Sequence, residues 1–496
     1  MSMVVQHNMQ AANANRMLGI TSGAQAKSTE KLSSGYKINR AADDAAGLTI
    51  SEKMRKQIRG LDKASSNAQD GVSSVQTAEG ALTEVHSMLQ RMNELAVQAA
   101  NGTNSKDTDR KAIQDEIDQL NTEIDRVAET TKFNEIYLLK GDDGEKTINL
   151  KAHDAGLKGT LTDNGDGTAT FKMDALKAGD KVSIGGQTFS IGASTQELKD
   201  MLTTADIDTK HQDVVVNGDT YKYVAAKAAV TTGTKADGNA AGWYKDGVVP
   251  ADTGAGIVAD ADYADAAEFS TKVTSGTVKV GTTELSLIAD KDNDGVDDNN
   301  KNVITKEKAY SLAAAELLKA NQIGDTQNQA KVGIDKNYTA MTLANATNTI
   351  EIHTGTAKVA NTLSFSLHVG ADADMTNKIS VDIDTMNSTF LGIKGLNVTD
   401  KNGTAATYAI DAISDAISKV SSQRSALGAV QNRLEHTIDN LDNISENTSS
   451  AESRIRDTDM AKEMVNYSKN NILAQAGQSM LAQANQSNQG VLSLLQ

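Results

Sequence analysis

The stretch AIQDEIDQLNTEIDRV, residues 112–127, decides the fold of this chain. Its apolar residues recur at alternating spacings of four and three, at Ile113, Ile117, Leu120, Ile124 and Val127. This heptad pattern predicts an amphipathic helix whose apolar seam needs a partner helix. Because the chain has a single proline, Pro250, long uninterrupted helices are possible on either side of it.

Two longer stretches repeat the helical spacing near the two ends of the chain. The first lies between Thr49 and Gly102 and has apolar residues at Val72, Val75, Leu82, Val85, Leu89, Met92 and Ala96. The second keeps the heptad phase at Ile413, Ile417, Val420, Leu427, Leu434, Ile438 and Leu441. Spacings of three, four and seven mark one face of a helix. We therefore predict long helices that pair as coiled coils in both terminal parts.

The middle of the chain, roughly residues 141–390, has a different composition. Gly, Asp, Thr and Asn are frequent there, and short alternating runs flank turn signals. Val182 to Ile191 predicts a hairpin around Gly185–Gly186, and Val214 to Tyr223 predicts another around Asn217–Gly218. The expected fold is thus multidomain α+β, with helical terminal domains and a β-rich middle inserted between them.

Composition excludes several classes of function. The net charge of −16 argues against binding to nucleic acid or to an anionic membrane surface. The chain has no cysteine, so it has no disulfide and no thiolate nucleophile. It has no run of eighteen apolar residues, which argues against membrane insertion. Residues 1–17 also lack the basic and apolar regions of a secretory signal peptide.

Motifs for catalysis are missing as well. The seven histidines show no His-Glu-x-x-His spacing, and neither a Gly-x-Ser-x-Gly elbow nor a phosphate-binding Gly-rich loop occurs. The carboxylates are numerous but scattered, so they identify no acid/base pair. We expect no enzymatic activity and no cofactor.

The two ends of the chain are poor in charge yet amphipathic. No charged side chain follows Lys469 in the last 27 residues, and Arg16 is the single charge between Met1 and Lys27. A surface helix normally carries a charged outer face, whereas polar amides without full charges are less costly to bury. The alternative is that both ends are weakly ordered tails. The apolar stripe favours pairing of the two ends and repeated head-to-tail association, which yields an open filament.

Long segments at both ends resemble the bacterial flagellin family. They are LSSGYKINRAADDAAGL at 32–48, LQRMNELAVQAANGTNS at 89–105, and ILAQAG, LAQANQ and VLSLL within 472–495. The resemblance covers about the first 140 and the last 130 residues and leaves out the middle. It implies a secreted subunit of the extracellular flagellar filament that is exported unfolded through the flagellar type III apparatus. The implied partners are copies of itself, an export chaperone, and the hook-associated and cap proteins.

The resemblance also implies domain boundaries and assembly residues. Residues 1–40 with 456–496 would form the inner-tube helices, 41–145 with 362–455 the wall domain with its hairpins, and 146–361 the variable outer part. The residues expected to mediate polymerisation are Leu18, Leu32, Ile472, Leu473, Leu481, Val491, Leu492 and Leu495.

A Toll-like receptor of vertebrate cells senses this family through the outer face of the wall helices. Carried over by position, that face comprises Gln90, Arg91, Glu94, Leu95, Gln98 and Glu116. A solvated helix face without a receptor role is the alternative. Asn93 departs from the pattern, because strongly stimulating members usually carry Arg there, and the loss of a guanidinium weakens a contact.

Two other features of the middle have alternative interpretations. Asp290, Asp292 and Asp294, followed by Gly295, match the start of a calcium loop, and Asp298 offers a further oxygen. The twelfth position is Lys301 instead of Glu, which favours an exposed acidic loop. The pair Trp243–Tyr244 would either bind sugar or a host surface, or anchor a small β domain. The anchor is favoured.

Two rival functions remain at this point. A hook–filament junction protein resembles the family at both ends but occurs in few copies. An adhesin function of the middle is compatible with polymerisation and would be an added role.

Overall fold

The structure, a computed structural model, describes residues 8–105, 108–204, 210–227, 231–232, 235–236, 238–248, 257–258, 262, 266–273 and 275–494. The chain divides into two compact units. The first consists of Met1–Gln76, Ser364–Val381 and Leu427–Gln496, and the second of Thr77–Leu363 and Asp382–Ala426. Within the described residues, no helix combines the length and the apolar character needed to span a bilayer.

The helices of the described residues are long near both ends of the chain and short in the middle. They are α1 (Met9–Ser34), α2 (Ala45–Ala100), α3 (Asp109–Thr130), α4 (Thr195–Thr204), α5 (Ala266–Lys272), α6 (Lys306–Asn321), α7 (Ser388–Leu391), α8 (Thr404–Arg456) and α9 (Met460–Leu494). A 3-10 turn covers Met375–Asn377.

The strands of the described residues lie between α3 and α7. They are β1 (Lys132–Phe133), β2 (Ile136–Tyr137), β3 (Asp142–Asn149), β4 (Gly159–Asp163), β5 (Thr168–Met173), β6 (Lys181–Ile184), β7 (Gln187–Ile191), β8 (Val214–Val216), β9 (Asp219–Val224), β10 (Thr231–Thr232), β11 (Lys235–Ala236), β12 (Gly238–Asn239), β13 (Gly242–Lys245), β14 (Ile257–Val258), β15 (Gly276–Val280), β16 (Thr283–Leu287), β17 (Val303–Ile304), β18 (Lys331–Gly333), β19 (Thr349–His353), β20 (Thr356–Asn361), β21 (Leu363–His368) and β22 (Lys378–Ile383). The predicted multidomain α+β class is confirmed.

The first unit is built on helices and one pair of strands. Strands β21 and β22 pair. Val369, just after β21, and Ile379 of β22 pack with α2 and α8 in one apolar cluster. The helical members of that cluster include Leu61, Ala68 and Leu434. Gly71 permits this close approach, because a Cβ there would lie 2.2 Å from Leu367 Cδ1.

The second unit buries the heptad residues that the sequence identified. In α2 they are Leu82, Val85, Leu89 and Met92, and in α3 they are Ile113, Ile117 and Ile124. In α8 they are Ile413 and Val420. Each of these side chains is at most 6% exposed, so the apolar seams are interior positions of the unit.

The middle residues of the second unit form two separate apolar cores. One core is shared by the four-stranded sheet β18-β19-β5-β4, the three-stranded sheet β17-β7-β6 and α6. The other is formed by the five-stranded sheet β13-β9-β8-β15-β16 with α4 and α5. Both predicted hairpins are confirmed, since β6 pairs with β7 and β8 pairs with β9, each antiparallel. The boundaries of the three predicted domains stay a prediction.

Candidate assembly and recognition surfaces

Helices α1 and α9 pack against each other in opposite directions. Asn8, the N-cap of α1, donates from Nδ2 to the carbonyl of Ala484 at 3.1 Å. Further along, Leu18 of α1 packs close to Gly477 of α9, where an added Cβ would lie 3.4 Å from Leu18 Cδ1. At the other end, the amide of Thr458 donates to the carbonyl of Gly35. The two terminal helices therefore pair, as their matching composition predicts.

This pair leaves a large apolar surface exposed. On α1 the exposed apolar residues are Met9, Met17 and Ile20. On α9 they are Met460, Met464, Val465, Ile472, Leu473 and Met480, with Val465 and Ile472 each 67% exposed. Met464, Val465, Ile472 and Leu473 line one shallow groove together with Ser468 and Lys469. A surface of this kind marks an interaction site.

The predicted polymerisation residues divide into four groups. Ile472 and Leu473 are exposed, whereas Leu18, Leu32 and Leu481 are half-buried. Val491 and Leu492 lie in α9, and their side chains are outside the described part of the chain. Leu495 lies outside the described residues. Their role in polymerisation stays a prediction.

The connectors beside the terminal pair are held by a cluster around Tyr36. The guanidinium of Arg456 lies 4.7 Å from the centre of the Tyr36 ring, and that of Arg55 lies 5.7 Å from it. Arg55 also donates to the Tyr36 hydroxyl at 3.2 Å. Glu452 accepts from the buried Ser51 hydroxyl at 2.7 Å and pairs with Arg55. These contacts fix where α1 and α8 end.

The predicted recognition face contains a three-residue ionic network. Arg91 donates to Glu116 at 2.9 Å and to Glu94 at 3.1 Å. The hydrogen bond to Glu116, followed by that to Glu94, raises the pKa of Arg91. Gln90 lies 3.1 Å from a ring nitrogen of His86, and Gln98 is exposed. Since all three members of the network are 44–69% exposed at the side chain, they are accessible to a macromolecule.

Leu95 is a correction to the predicted face. Its side chain is 2% exposed, because it lies three residues after Met92 on the interior side of α2. A residue three positions after a core residue shares its face of the helix. The structure therefore removes Leu95 from the exposed surface, and it leaves the other five predicted residues on it.

Arg110 is a prominent interior residue that sequence reasoning missed. It is 1% exposed, and its guanidinium donates to four backbone carbonyls. They belong to Ala99, Asn101, Asp400 and Lys401, at 2.8–3.1 Å. Two of these carbonyls lie at the end of α2, where helix carbonyls have no intrahelical partner. In the sequence, Arg110 is a cation at the second position of α3, after a Gly-Thr-Asn-Ser turn. That pattern alone does not distinguish a buried arginine from an exposed one.

The acidic loop brings three of the four predicted calcium ligands together. Oxygens of Asp290, Asp292 and Asp294 lie within 4.8 Å of one another. Desolvation and the neighbouring Asp294 charge raise the pKa of Asp292. Asp298 instead accepts from the amide of Lys291 at 3.2 Å. The exposed acidic loop stays the favoured interpretation and calcium binding its alternative, and melting curves with and without millimolar calcium distinguish them.

The aromatic pair of the middle is an interior feature. Trp243 and Tyr244 are each 1% exposed. The Trp243 indole donates to the carbonyl of Gln212 at 3.0 Å, and its ring packs edge-to-face on Tyr223 and Phe269. The favoured interpretation of this pair, an anchor of a small β domain, is confirmed.

The architecture defines the class of protein to which the chain belongs. Its long terminal helices pair with each other and expose an apolar face, and a β-rich segment lies between them in the sequence. Family models described as the bacterial flagellin N-terminal helical region and the bacterial flagellin C-terminal helical region match residues 5–143 and 410–495.

Curated relatives match over essentially the whole chain. The flagellin of Clostridium tyrobutyricum is 38% identical over 98% of this chain and 100% of its own length. The flagellin of Bacillus subtilis strain 168 is 33% identical over 99% of this chain and 100% of its own length. Flagellin D of Vibrio anguillarum is 33% identical over 100% of both. The chain belongs to the flagellin family, a family of structural proteins of the flagellar filament and not of enzymes.

A solved structure of FliC from Burkholderia pseudomallei also matches. It covers 73% of this chain and 99% of its own, at 18% identity and a TM-score of 0.23. So low a score supports no comparison of the two folds.

Proposed function

We propose that this chain polymerises through its paired terminal helices into the extracellular flagellar filament and thereby serves motility. The observation that carries the proposal is the exposed apolar face of α1 and α9. Because no charged side chain follows Lys469, the part of this face beyond Lys469 can be buried between copies without stranding a charge. The full-length matches to flagellins favour a filament subunit over a hook–filament junction protein.

Seeded growth tests the proposal. Purified subunits are mixed with filament fragments, and growth is followed by sedimentation and negative-stain microscopy. The full chain should grow filaments, whereas a variant lacking residues 470–496 should stay monomeric.

A point variant localises the effect. Ile472→Asp places a charge on the exposed stripe and should abolish growth, whereas Ile472→Leu keeps the apolar surface and should grow normally. Equal growth of both variants would show that this stripe is not the assembly surface.

We also infer that the subunit is secreted unfolded by the flagellar type III apparatus and meets an export chaperone, hook-associated proteins and the cap protein. The absence of cysteine supports this route, since no disulfide has to form or open during passage. Immunoblots of culture medium from strains with and without that apparatus measure the dependence. Secretion that continues without the apparatus would refute the inference.

We further infer that the Toll-like receptor for flagellin binds the exposed network of Arg91, Glu94 and Glu116. The supporting observation is that Arg91 holds two carboxylates in fixed geometry on an accessible helix face. In receptor reporter cells, Arg91→Ala should weaken signalling, and Asn93→Arg should strengthen it by adding a guanidinium. Arg126→Ala is the matched control, because Arg126 also forms an exposed pair on this unit, with Glu123. An equal loss in the control would argue for a nonspecific charge effect.

A further inference from the structure

We propose that the methionines of the two terminal helices are a reversible oxidation site that determines whether a free subunit can assemble. The site comprises Met9 and Met17 on α1 and Met460, Met464 and Met480 on α9, here called the terminal methionines. The proposal rests on the proposed function, because it assumes that these helices mediate polymerisation.

The terminal methionines are unusually accessible for apolar side chains. Their exposures are 73%, 53%, 49%, 52% and 64%, in chain order. By contrast, Met92, Met173 and Met386 are at most 1% exposed in the interior of the second unit. Because the chain contains 15 methionines and no cysteine, thioethers are its most readily oxidised groups. Accessibility therefore directs an oxidant to the terminal methionines and to the equally exposed Met375, and away from the interior methionines.

Their location links oxidation to assembly. Met460 and Met464 are four residues apart and share one face of α9. Met464 lines the same groove as Val465, Ile472 and Leu473. A change of polarity at this sulfur therefore alters the surface that assembly would bury.

The chemistry is a two-electron oxygen transfer. A peroxide, such as hydrogen peroxide, donates one oxygen atom to the sulfur lone pair, an S–O bond forms as the O–O bond breaks, and water leaves. The sulfur is oxidised and the peroxide is reduced. A methionine sulfoxide reductase reverses the step with two electrons and two protons from a dithiol, again releasing water.

The product is incompatible with an apolar interface. A sulfoxide is a strong hydrogen-bond acceptor, and burying it without a donor is unfavourable. The groove offers donors at Ser468 and Lys469, whereas Val465, Ile472 and Leu473 beside Met464 offer none. Oxidised subunits are therefore excluded from growing ends, while subunits already incorporated have their sulfurs covered.

The experiment uses the full chain and hydrogen peroxide. Monomers are oxidised, the modified methionines are mapped by mass spectrometry, and the critical concentration for seeded growth is measured. We expect the terminal methionines to be oxidised before Met92, Met173 and Met386, and the critical concentration to rise at least tenfold. Treatment with methionine sulfoxide reductases and dithiothreitol should restore growth.

Two variants make the test specific. A variant with Leu at all five terminal methionines keeps the apolar surface and should grow equally with and without peroxide. Met375→Leu is the matched control, because Met375 is 73% exposed but lies outside the terminal helices, so this variant should stay sensitive.

Two outcomes would overturn the proposal in distinguishable ways. If untreated wild-type protein grows and oxidised protein grows equally well, or if the five-leucine variant stays sensitive, the oxidation site is refuted and the proposed function stands. If untreated wild-type protein does not grow from seeds, the proposed function fails and the oxidation site fails with it.

Discussion

At the scale of single residues, Arg110 makes four hydrogen bonds to backbone carbonyls. Its guanidinium is buried and donates to carbonyls at the end of α2 and in the segment before α8. A cation at a helix C-terminus also interacts favourably with the helix dipole. One side chain thereby joins the end of α2 and the start of α3 to the segment before α8, which lies 290 residues further along the chain.

We predict that Arg110→Met destabilises the second unit by about 3 kcal/mol, because the buried carbonyl of Ala99 and three half-buried carbonyls lose their donor, and a fully buried unsatisfied acceptor costs about 1–3 kcal/mol. Urea unfolding of the monomer, followed by circular dichroism, measures the change. Arg126→Met is the control and should leave the free energy of unfolding nearly unchanged, since its ion pair is exposed. Similar effects of the two substitutions would contradict the role of Arg110.

His153 gives the second unit a pH dependence. Burial lowers the pKa of His153, and Lys151 lowers it further, whereas Asp415, Asp411 and Asp154 oppose the shift. Desolvation raises the pKa of Asp411, which has the opposite effect on stability. As pH falls below about 6.5, the ordinary histidine pKa, His153 is therefore protonated in the unfolded state before it is protonated in the folded state.

We predict that the free energy of unfolding of the second unit decreases as pH falls from 7.5 to 5.5. The slope from His153 is at most about 1.4 kcal/mol per pH unit, the value for one proton. The raised pKa of Asp411 makes the folded state more stable as pH falls, so Asp411 cannot cause this loss. Urea unfolding at several pH values measures the slope, and His153→Gln should reduce it. An unchanged slope in that variant would assign the effect to other groups.

At the scale of elements, the glycines of α2 show how packing overrides helix propensity. Gly71 lies against Leu367 and Leu434, where a Cβ would approach their methyl groups to 2.2 Å and 3.3 Å. Gly80 is exposed on the same helix, and a Cβ there would meet nothing within 4 Å. The two positions thus share a helix and differ in environment.

We predict opposite signs for alanine at these two positions. Gly80→Ala should stabilise by roughly 0.8–1 kcal/mol, the propensity difference in a helix interior. Gly71→Ala should instead destabilise by about 1 kcal/mol, because overpacking costs roughly 1–3 kcal/mol and exceeds the propensity gain. Thermal and urea unfolding of both monomers measures the signs. Stabilisation by both would show that Leu367 moves aside freely.

The elements also show what the sequence could predict. Heptad spacing predicted α2, α3 and α8, because helical periodicity can be read from residues that are close together in the sequence. Gly185–Gly186 and Asn217–Gly218 identified two hairpins for the same local reason. Pairings such as β5 with β19 and β3 with β20 were not predictable, since their partners lie far apart in sequence. The burial of Leu95 could be predicted from its spacing to Met92 on α2, but the residues were carried over from the family by position instead.

At the scale of the whole molecule, the antiparallel pair β3–β20 brings together the two points at which the middle segment begins and ends. Asn149 and Thr356 are paired residues of these strands, and the amide of Leu150 donates to the carbonyl of Gly355 at 2.8 Å. The chain thus leaves and re-enters the helical part of the second unit at adjacent points. Leu150 packs there with Ala357 and Val359 in a small apolar cluster of its own.

This geometry predicts that residues 151–354 can be replaced by the two-residue turn Asn-Gly, which favours a tight antiparallel hairpin. The shortened chain loses contacts with α8 that include the Tyr408–Glu316 hydrogen bond, the contacts of Lys151 and His153 with Asp415, and the apolar neighbours of Tyr408. It keeps the β3–β20 pair, the apolar cluster around Leu150, and both terminal helices. We therefore expect a folded monomer that still grows from filament seeds, measured by circular dichroism and sedimentation.

Two further variants separate folding from assembly in this experiment. Tyr408→Gln in the shortened chain replaces a ring that loses its apolar neighbours, and it should improve solubility without changing growth. Adding Ile472→Asp should abolish growth while the monomer stays folded, because the proposed assembly surface lies on α9 and not in the middle. If the shortened chain folds but does not grow, the middle takes part in assembly, and the terminal helices alone are insufficient to build the filament.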